Sequence, residues 1–198
     1  MKKIVIMADG KGMRWANHMN IPKHFAIVRG ERLIARTVRL LKYEDTNAEI
    51  IVTSHDKRYE FDGSRRYEPQ DNHYEIDRFT DELIEDDICF LYGDTFYTEK
   101  AIKQVLLEKT SDILFFGNKK SIVAVKVMDS VLFRKHVKRV KTLYLEGKID
   151  KCTGWQVYRS FTNQGFEKEI ELKNKFIWVD DETTDINTPI EYNKMEKE

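Results

Sequence analysis

The sequence predicts an α/β fold in which buried strands alternate with amphipathic helices. Three observations carry that prediction. Short apolar runs recur along the chain at Ile4–Met7, Ile50–Val52, Ile88–Leu91, Ile113–Phe116 and Ser121–Val127. Between the first two, Leu33, Ile34, Val38 and Leu41 fall at helical spacing with Arg36, Arg39 and Lys42 on the other faces. The first run also breaks into a glycine loop, as strands do where they hand over to a ligand site. At 198 residues the chain, 1–198, suits one domain.

Bulk properties narrow the classes of function. Lys plus Arg is 34 and Asp plus Glu is 34, a net charge of zero. A general nucleic-acid or membrane-surface binder needs a basic excess, so neither partner is expected. Cys89 and Cys152 lie far apart with no metal-ligand spacing, which argues against a disulfide framework. The opening Met1-Lys-Lys-Ile-Val-Ile-Met starts like a secretory leader, but its apolar run ends within about six residues, too short for an h-region or a span. A cytoplasmic protein is expected.

The first strand leads into Met7-Ala8-Asp9-Gly10-Lys11-Gly12-Met13-Arg14, and Pro22-Lys23 follows. Glycines one residue apart let successive N–H groups turn toward an anion, and a helix starting just afterwards would add its positive end. Arg14 offers a planar fork for phosphate oxygens and Lys23 a mobile point charge. Together they suit a polyphosphate. A bare turn with solvated cations is the alternative for Gly-x-Gly alone.

Continuing along the chain, Glu49–Thr53 reads as a second parallel strand, with Ser54-His55-Asp56 at its carboxyl end. A short strand is expected around Arg65–Glu68 among loops, and Asp77–Thr80 as the cap of a helix carrying Phe79, Leu83 and Ile84. The run Asp87–Asp94 closes on Gly93-Asp94, placing a carboxylate at the edge where open sheets bind ligands. Asp94 is the first candidate metal ligand; its alternative role is to cap the helix containing Ala101, Ile102, Val105 and Leu106. Asp129 should cap a helix whose basic row, Arg134 to Lys141, reads as a solvated face. Cys152–Arg159 reads as a loop opening into a strand with alternating aromatics. Finally, Phe176–Val179 is a β-rich run ending in acids, and Thr188-Pro189 starts the last helix.

The opening string resembles the signature of the nucleotidyltransferase superfamily, Ala-Ala/Gly-Gly-x-Gly-x-Arg followed by Pro-Lys. The ending Asp185-Ile186-Asn187-Thr188-Pro189 resembles that superfamily's closing motif. The resemblance implies a three-layer α/β/α, glycosyltransferase-A-like fold with a mainly parallel mixed sheet, helices on both faces and a small antiparallel acceptor flap. It implies that Ala8, Asp9, Gly10, Lys11, Gly12, Met13, Arg14 and Lys23 hold a nucleoside triphosphate, with Arg14 and Lys23 catalytic at the α-phosphate. It further implies that Asp94 and Asp185 hold Mg2+, since magnesium takes one or two carboxylates beside substrate and water. Trp155, Tyr158 and Arg159 would line the pocket for a phosphorylated acceptor.

Two positions depart from the motif. Asp9 stands where the family has Ala or Gly, and a carboxylate there must point away from phosphates or reach a sugar or base. Asn187 stands where many cytidylyltransferases have a metal-binding aspartate, leaving Asp185, Asp180 or Asp181 to supply charge.

The wording is nearest to cytidylyltransferases acting on sugar, alditol or choline phosphates, so CTP is the favoured donor, in a monomer or homodimer. A guanylyltransferase of cofactor synthesis is the runner-up. A glycosyltransferase, which would show two acids bracketing one residue rather than Gly93-Asp94-Thr95-Phe96, and a catalytically silent nucleotide-binding regulator are the readings from other classes. Cell-envelope polysaccharide synthesis is the setting that analogy suggests.

Overall fold

A computed structural model describes residues 2–196. The first strand, β1 (Lys3–Met7), alternates its side chains between two separate cores, as the period of a strand demands. Ile4 and Ile6 enter one core and Val5 and Met7 the other. A hairpin, β2 (Ile27–Val28) and β3 (Glu31–Arg32), precedes helix α1 (Leu33–Glu44). Strands β4 (Glu49–Thr53) and β5 (Arg65–Tyr67) extend the sheet on one side of β1.

On the other side runs β6 (Ile88–Tyr92), followed by the short β7 (Thr95–Phe96) and helix α2 (Glu99–Leu107). Then come β8 (Ile113–Gly117), β9 (Ile122–Val127) and helix α3 (Ser130–Leu145). The chain closes with α4 (Gly154–Phe161), β10 (Phe176–Trp178), β11 (Thr184–Asp185) and α5 (Pro189–Met195).

Seven strands form one sheet in the order β10-β8-β9-β6-β1-β4-β5. Strands β1, β4, β5 and β6 are mutually parallel, β10 is parallel to β8, and β9 alone runs antiparallel to its neighbours. Ile34, Val38 and Leu41 of α1 and Ala101, Ile102 and Val105 of α2 cover one face. Phe133 and Val140 of α3 and Val157 and Tyr158 of α4 cover the other. The result is the three-layer mixed α/β/α arrangement expected. A smaller third core joins Trp15, Val28, Phe96, Ile186 and Tyr192, tying the opening loop to the closing motif. No helix among the described residues is long and apolar enough to cross a membrane.

Three local expectations need correction. Cys152–Arg159 opens a helix, not a strand: α4 packs Tyr158 edge-on against Phe115 at 5.1 Å and stacks Trp155 on Phe176 at 5.6 Å. Burial on the sheet outweighs the β-leaning composition. The segment on either side of Thr80 forms only 3-10 turns, Glu75–Phe79 and Asp81–Leu83, in place of the expected helix. The glycine loop likewise enters a three-residue turn, Met13–Trp15, so no long helix points its positive end at the loop.

Candidate active site

The loop after β1 is held in an unusual backbone path. Gly12 is left-handed at φ 59°, and so are Ala16, Asn17, Met19 and Asn20. Non-glycine residues bear that conformation at a cost of about 1–2 kcal/mol each, so tertiary contacts must impose it. They do: Trp15 is 2% exposed, donates from Nε1 to the carbonyl of Ile21 at 2.8 Å, and meets Tyr192 of α5 edge-on at 5.8 Å. Gly10 keeps clear a different space, because a Cβ there would sit 3.0 Å from the Arg78 guanidinium.

Beyond the loop, Lys23 is buried at 7% exposure, and its ammonium pairs with the Asp94 carboxylate, itself 7% exposed. Lys23 also donates to Asn187 Oδ1 at 3.2 Å, and an Arg14 nitrogen donates to that same oxygen at 2.8 Å. Asn187 Nδ2 donates to Asp185, which accepts from Ser121 Oγ at 3.2 Å as well. Arg14, Asn187, Lys23 and Asp94 thus form one connected network reaching Asp185. Burial, the largest single influence, pushes the Asp94 carboxyl upward, but the surrounding positive charge, Lys23 foremost and Arg78 with it, holds the group below its usual range.

Sheet geometry brings these distant residues together. Gly93 N donates to Met7 O at 3.0 Å, and a Cβ on Gly93 would lie only 2.8 Å from that oxygen, so β6 can end tightly against β1 only with glycine here. Strand β7 then pairs antiparallel with β11, Thr95 opposite Asp185, and Ile186 N donates to Asp94 O at 2.7 Å. A capping box fixes the next residues: Glu191 Oε2 accepts from Asn187 N at 2.8 Å and Thr188 N at 2.9 Å, while Thr188 Oγ1 accepts from Glu191 N.

Two cavities flank this network. One, of 340 Å³, is lined by the loop from Ala8 to Gly12, by Lys23 and His24, and by Ser54, His55 and Tyr59. The other, of 200 Å³, holds Arg14, Arg78, Asp94, Ser121, Trp155 and Asp185. A smaller space of 140 Å³ lies between loop and network, lined by Lys11 to Arg14, Lys23, Arg78 and Asn187. The loop therefore forms a ridge with cations on it and room on either side.

No protein-family model and no curated protein matches the sequence. Solved structures match it along its whole length. A CTP:phosphocholine cytidylyltransferase from Streptococcus pneumoniae superposes with a TM-score of 0.64 at 18% identity, over 99% of this chain and 97% of its own. A putative glucose-1-phosphate thymidylyltransferase from Bacillus anthracis gives 0.66 at 14%, over 100% and 94%. The inositol-1-phosphate CTP transferase from T. maritima gives 0.59 at 13%, over 100% and 96%. The chain has the nucleotidyltransferase fold.

Within that nucleotidyltransferase fold the predicted site residues separate. Lys11, Gly12, Met13, Arg14 and Lys23 gather on the ridge, Gly10 lines the 340 Å³ cavity beside them, and Asp94 and Asp185 line the 200 Å³ one. Ala8 follows β1, its N–H bonded to Thr53 O at 3.2 Å, and lines the 340 Å³ cavity. Asp9 turns its carboxylate to His55 and Asn72.

Trp155 lines the cavity with Asp94, but Tyr158 and Arg159 do not. Tyr158 is fully buried, its hydroxyl donating to Glu171 O and accepting from Lys173 N at 2.7 Å. Arg159 donates to the carbonyls of Gly165 and Lys168. Both side chains brace the segment after α4. Of the other closing acids, Asp180 is exposed and Asp181 accepts from Thr98 Oγ1 and Thr183 N, so Asp185 is the one in the cavity.

Sequence reading did not single out Arg78, Ser121, His55 or Asn72. Arg78 sits in a 3-10 turn with no motif around it, and only the fold places its guanidinium beside Gly10. Among the described residues, no three His, Cys, Asp or Glu side chains close on one metal position. Two carboxylates, Asp94 and Asp185, line one cavity and suit Mg2+, which takes few protein oxygens and fills its shell with water and phosphate, whereas Asn187 Oδ1 is occupied by Arg14 and Lys23.

Proposed function

We propose that the chain transfers a nucleoside monophosphate, CMP by preference, from its triphosphate to the phosphate of a small acceptor, releasing pyrophosphate. The observation that carries this reading is the network Arg14–Asn187–Lys23–Asp94, which joins the glycine loop to the acids at two strand ends and lines both cavities, Lys23 the first and Arg14, Asp94 and Asn187 the second. The 340 Å³ cavity takes the nucleoside, the ridge its phosphates, and the 200 Å³ cavity the acceptor.

An acceptor phosphate oxygen forms a bond to the α-phosphorus while the bond from that phosphorus to its bridging oxygen breaks, the electron pair leaving with pyrophosphate. The acceptor is already ionised, so no proton need be removed; orientation and charge stabilisation suffice. Lys23 and Arg14 stabilise charge at the α-phosphate and leaving group, and Arg78, which lines the acceptor cavity beside the loop, meets the acceptor's phosphate. Asp94 and Asp185 would hold Mg2+, which when bound neutralises phosphate charge. Cytidine is favoured because two of the similar structures use CTP, on phosphocholine and on inositol 1-phosphate, alongside the wording of the Pro-Lys region.

Pyrophosphate release tests the proposal. Purified protein with Mg2+ is given CTP, GTP, UTP or ATP against phosphocholine, inositol 1-phosphate, glucose 1-phosphate and alditol phosphates. Release should be greatest with CTP and one acceptor class, and Lys23→Ala should lower turnover by about 10² to 10³-fold. Silence with every pairing would overturn the reading.

A further inference from the structure

The Asp9 side chain is 9% exposed and accepts from three donors: His55 N at 2.9 Å, His55 Nδ1 at 2.7 Å and Asn72 Nδ2 at 2.8 Å. The same Asn72 nitrogen reaches the Asp9 carbonyl at 2.6 Å. An ionised carboxylate only accepts. Nδ1 of His55 must therefore carry the proton, which in the neutral ring leaves Nε2 as a lone-pair acceptor. Asn72 is sorted in the same way, because both of its contacts need its NH2 group, and its Oδ1 is left over. One acidic residue thus turns two ambiguous side chains into acceptors. The His55 side chain is 49% exposed and lines the cavity assigned above to the nucleoside.

We infer that His55, oriented by Asp9, reads the donor's base and selects cytosine over uracil; this rests on the nucleotide reading above. Cytosine presents an amine, a donor, at the position where uracil presents a carbonyl, an acceptor. Nε2 accepts from the first and faces the second lone pair to lone pair, which leaves a desolvated acceptor without a partner. Asp9 touches no nucleotide in this account and is a positioning residue, acting through the His55 tautomer.

Calorimetric titration with Mg2+·CTP and Mg2+·UTP at mildly alkaline pH, without acceptor, tests the inference. The unaltered protein should bind CTP about tenfold tighter than UTP or more. His55→Ala should bring the ratio close to one. Asp9→Asn, whose carboxamide can donate to Nδ1 and release the other tautomer, should shrink the ratio too, yet change it no further in the His55→Ala background. If either variant weakened CTP and UTP equally and kept their ratio, the two residues would be mere loop struts and the inference would fail. Equal affinity of the unaltered protein for both nucleotides would overturn the inference and leave the nucleotide reading standing. Binding of neither would overturn that reading, and the inference with it. Should Asp9→Asn not fold, the unaltered protein and His55→Ala still decide.

Discussion

Lys23→Ala should destabilise the protein by an amount that depends on pH. The lysine and its partner Asp94 are each 7% exposed, so removing the ammonium strands a carboxylate in a place water scarcely reaches. Breaking a buried pair from one side costs about 3–5 kcal/mol. The lower end applies here, because Arg78 still acts favourably on the Asp94 charge and the truncated side chain leaves room for water. For a chain of this size about 3 kcal/mol lowers Tm by roughly 6–12 °C.

The sign of the pH dependence is fixed by Asp94. In the unaltered protein its pKa lies below the ordinary 3.8, so its ionisation contributes stability above that pH, lost as the pH falls through the lower folded value. Without Lys23 the largest influence, burial, has no such counterweight and raises the pKa above 3.8. Acidification from pH 7 toward 4 then protonates Asp94 and relieves the variant. Urea melts across this range should show the two proteins converging. The double variant Lys23→Ala/Asp94→Asn should be more stable than Lys23→Ala alone at pH 7. A loss under about 1 kcal/mol with parallel pH curves would refute the reasoning.

Other outcomes follow from the same geometry. Gly93→Ala places a methyl 2.8 Å from Met7 O and 3.2 Å from Ala8 Cβ, so thermal melts should show a loss of about 1–3 kcal/mol and turnover should fall as Asp94 shifts. Asn187→Asp sets a second carboxylate against Asp185, so the apo variant should melt lower while Mg2+ raises its Tm more than that of the unaltered protein. His24 is pushed down to about 3 by burial and then by Lys23, so the folded state stays unprotonated while the unfolded chain takes up a proton below 6.5. Stability therefore declines from pH 6.5 toward 3, and in denaturant melts His24→Gln, which does not titrate, should make that decline shallower.

Much of this was legible in the sequence where local chemistry decides. The apolar runs mark strands because both faces of the sheet are covered, and Gly93-Asp94 announces a strand end because only glycine fits against Met7 O. Thr188-Pro189 caps α5 as its residue types require. What stayed hidden depends on partners far along the chain. Asp9 is settled by His55 and Asn72, 46 and 63 positions away. Arg78 reaches Gly10 only through the fold. Tyr158 and Arg159 have residue types suited to ligands, but their partners are the backbone carbonyls of Glu171, Gly165 and Lys168. Residues 152–159 read as a strand because their aromatic and β-branched side chains lean that way, until Phe115 and Phe176 offer a surface for helix α4.

The most direct measurement is a crystal structure with Mg2+ and a CTP analogue that cannot release pyrophosphate. Three phosphates should lie along Lys11 to Arg14, with the α-phosphate within hydrogen-bond reach of Lys23, cytosine beside His55, and a metal ion touching Asp94 or Asp185. A triphosphate bound elsewhere, with Arg14 and Lys23 contacting none of it, would contradict the account.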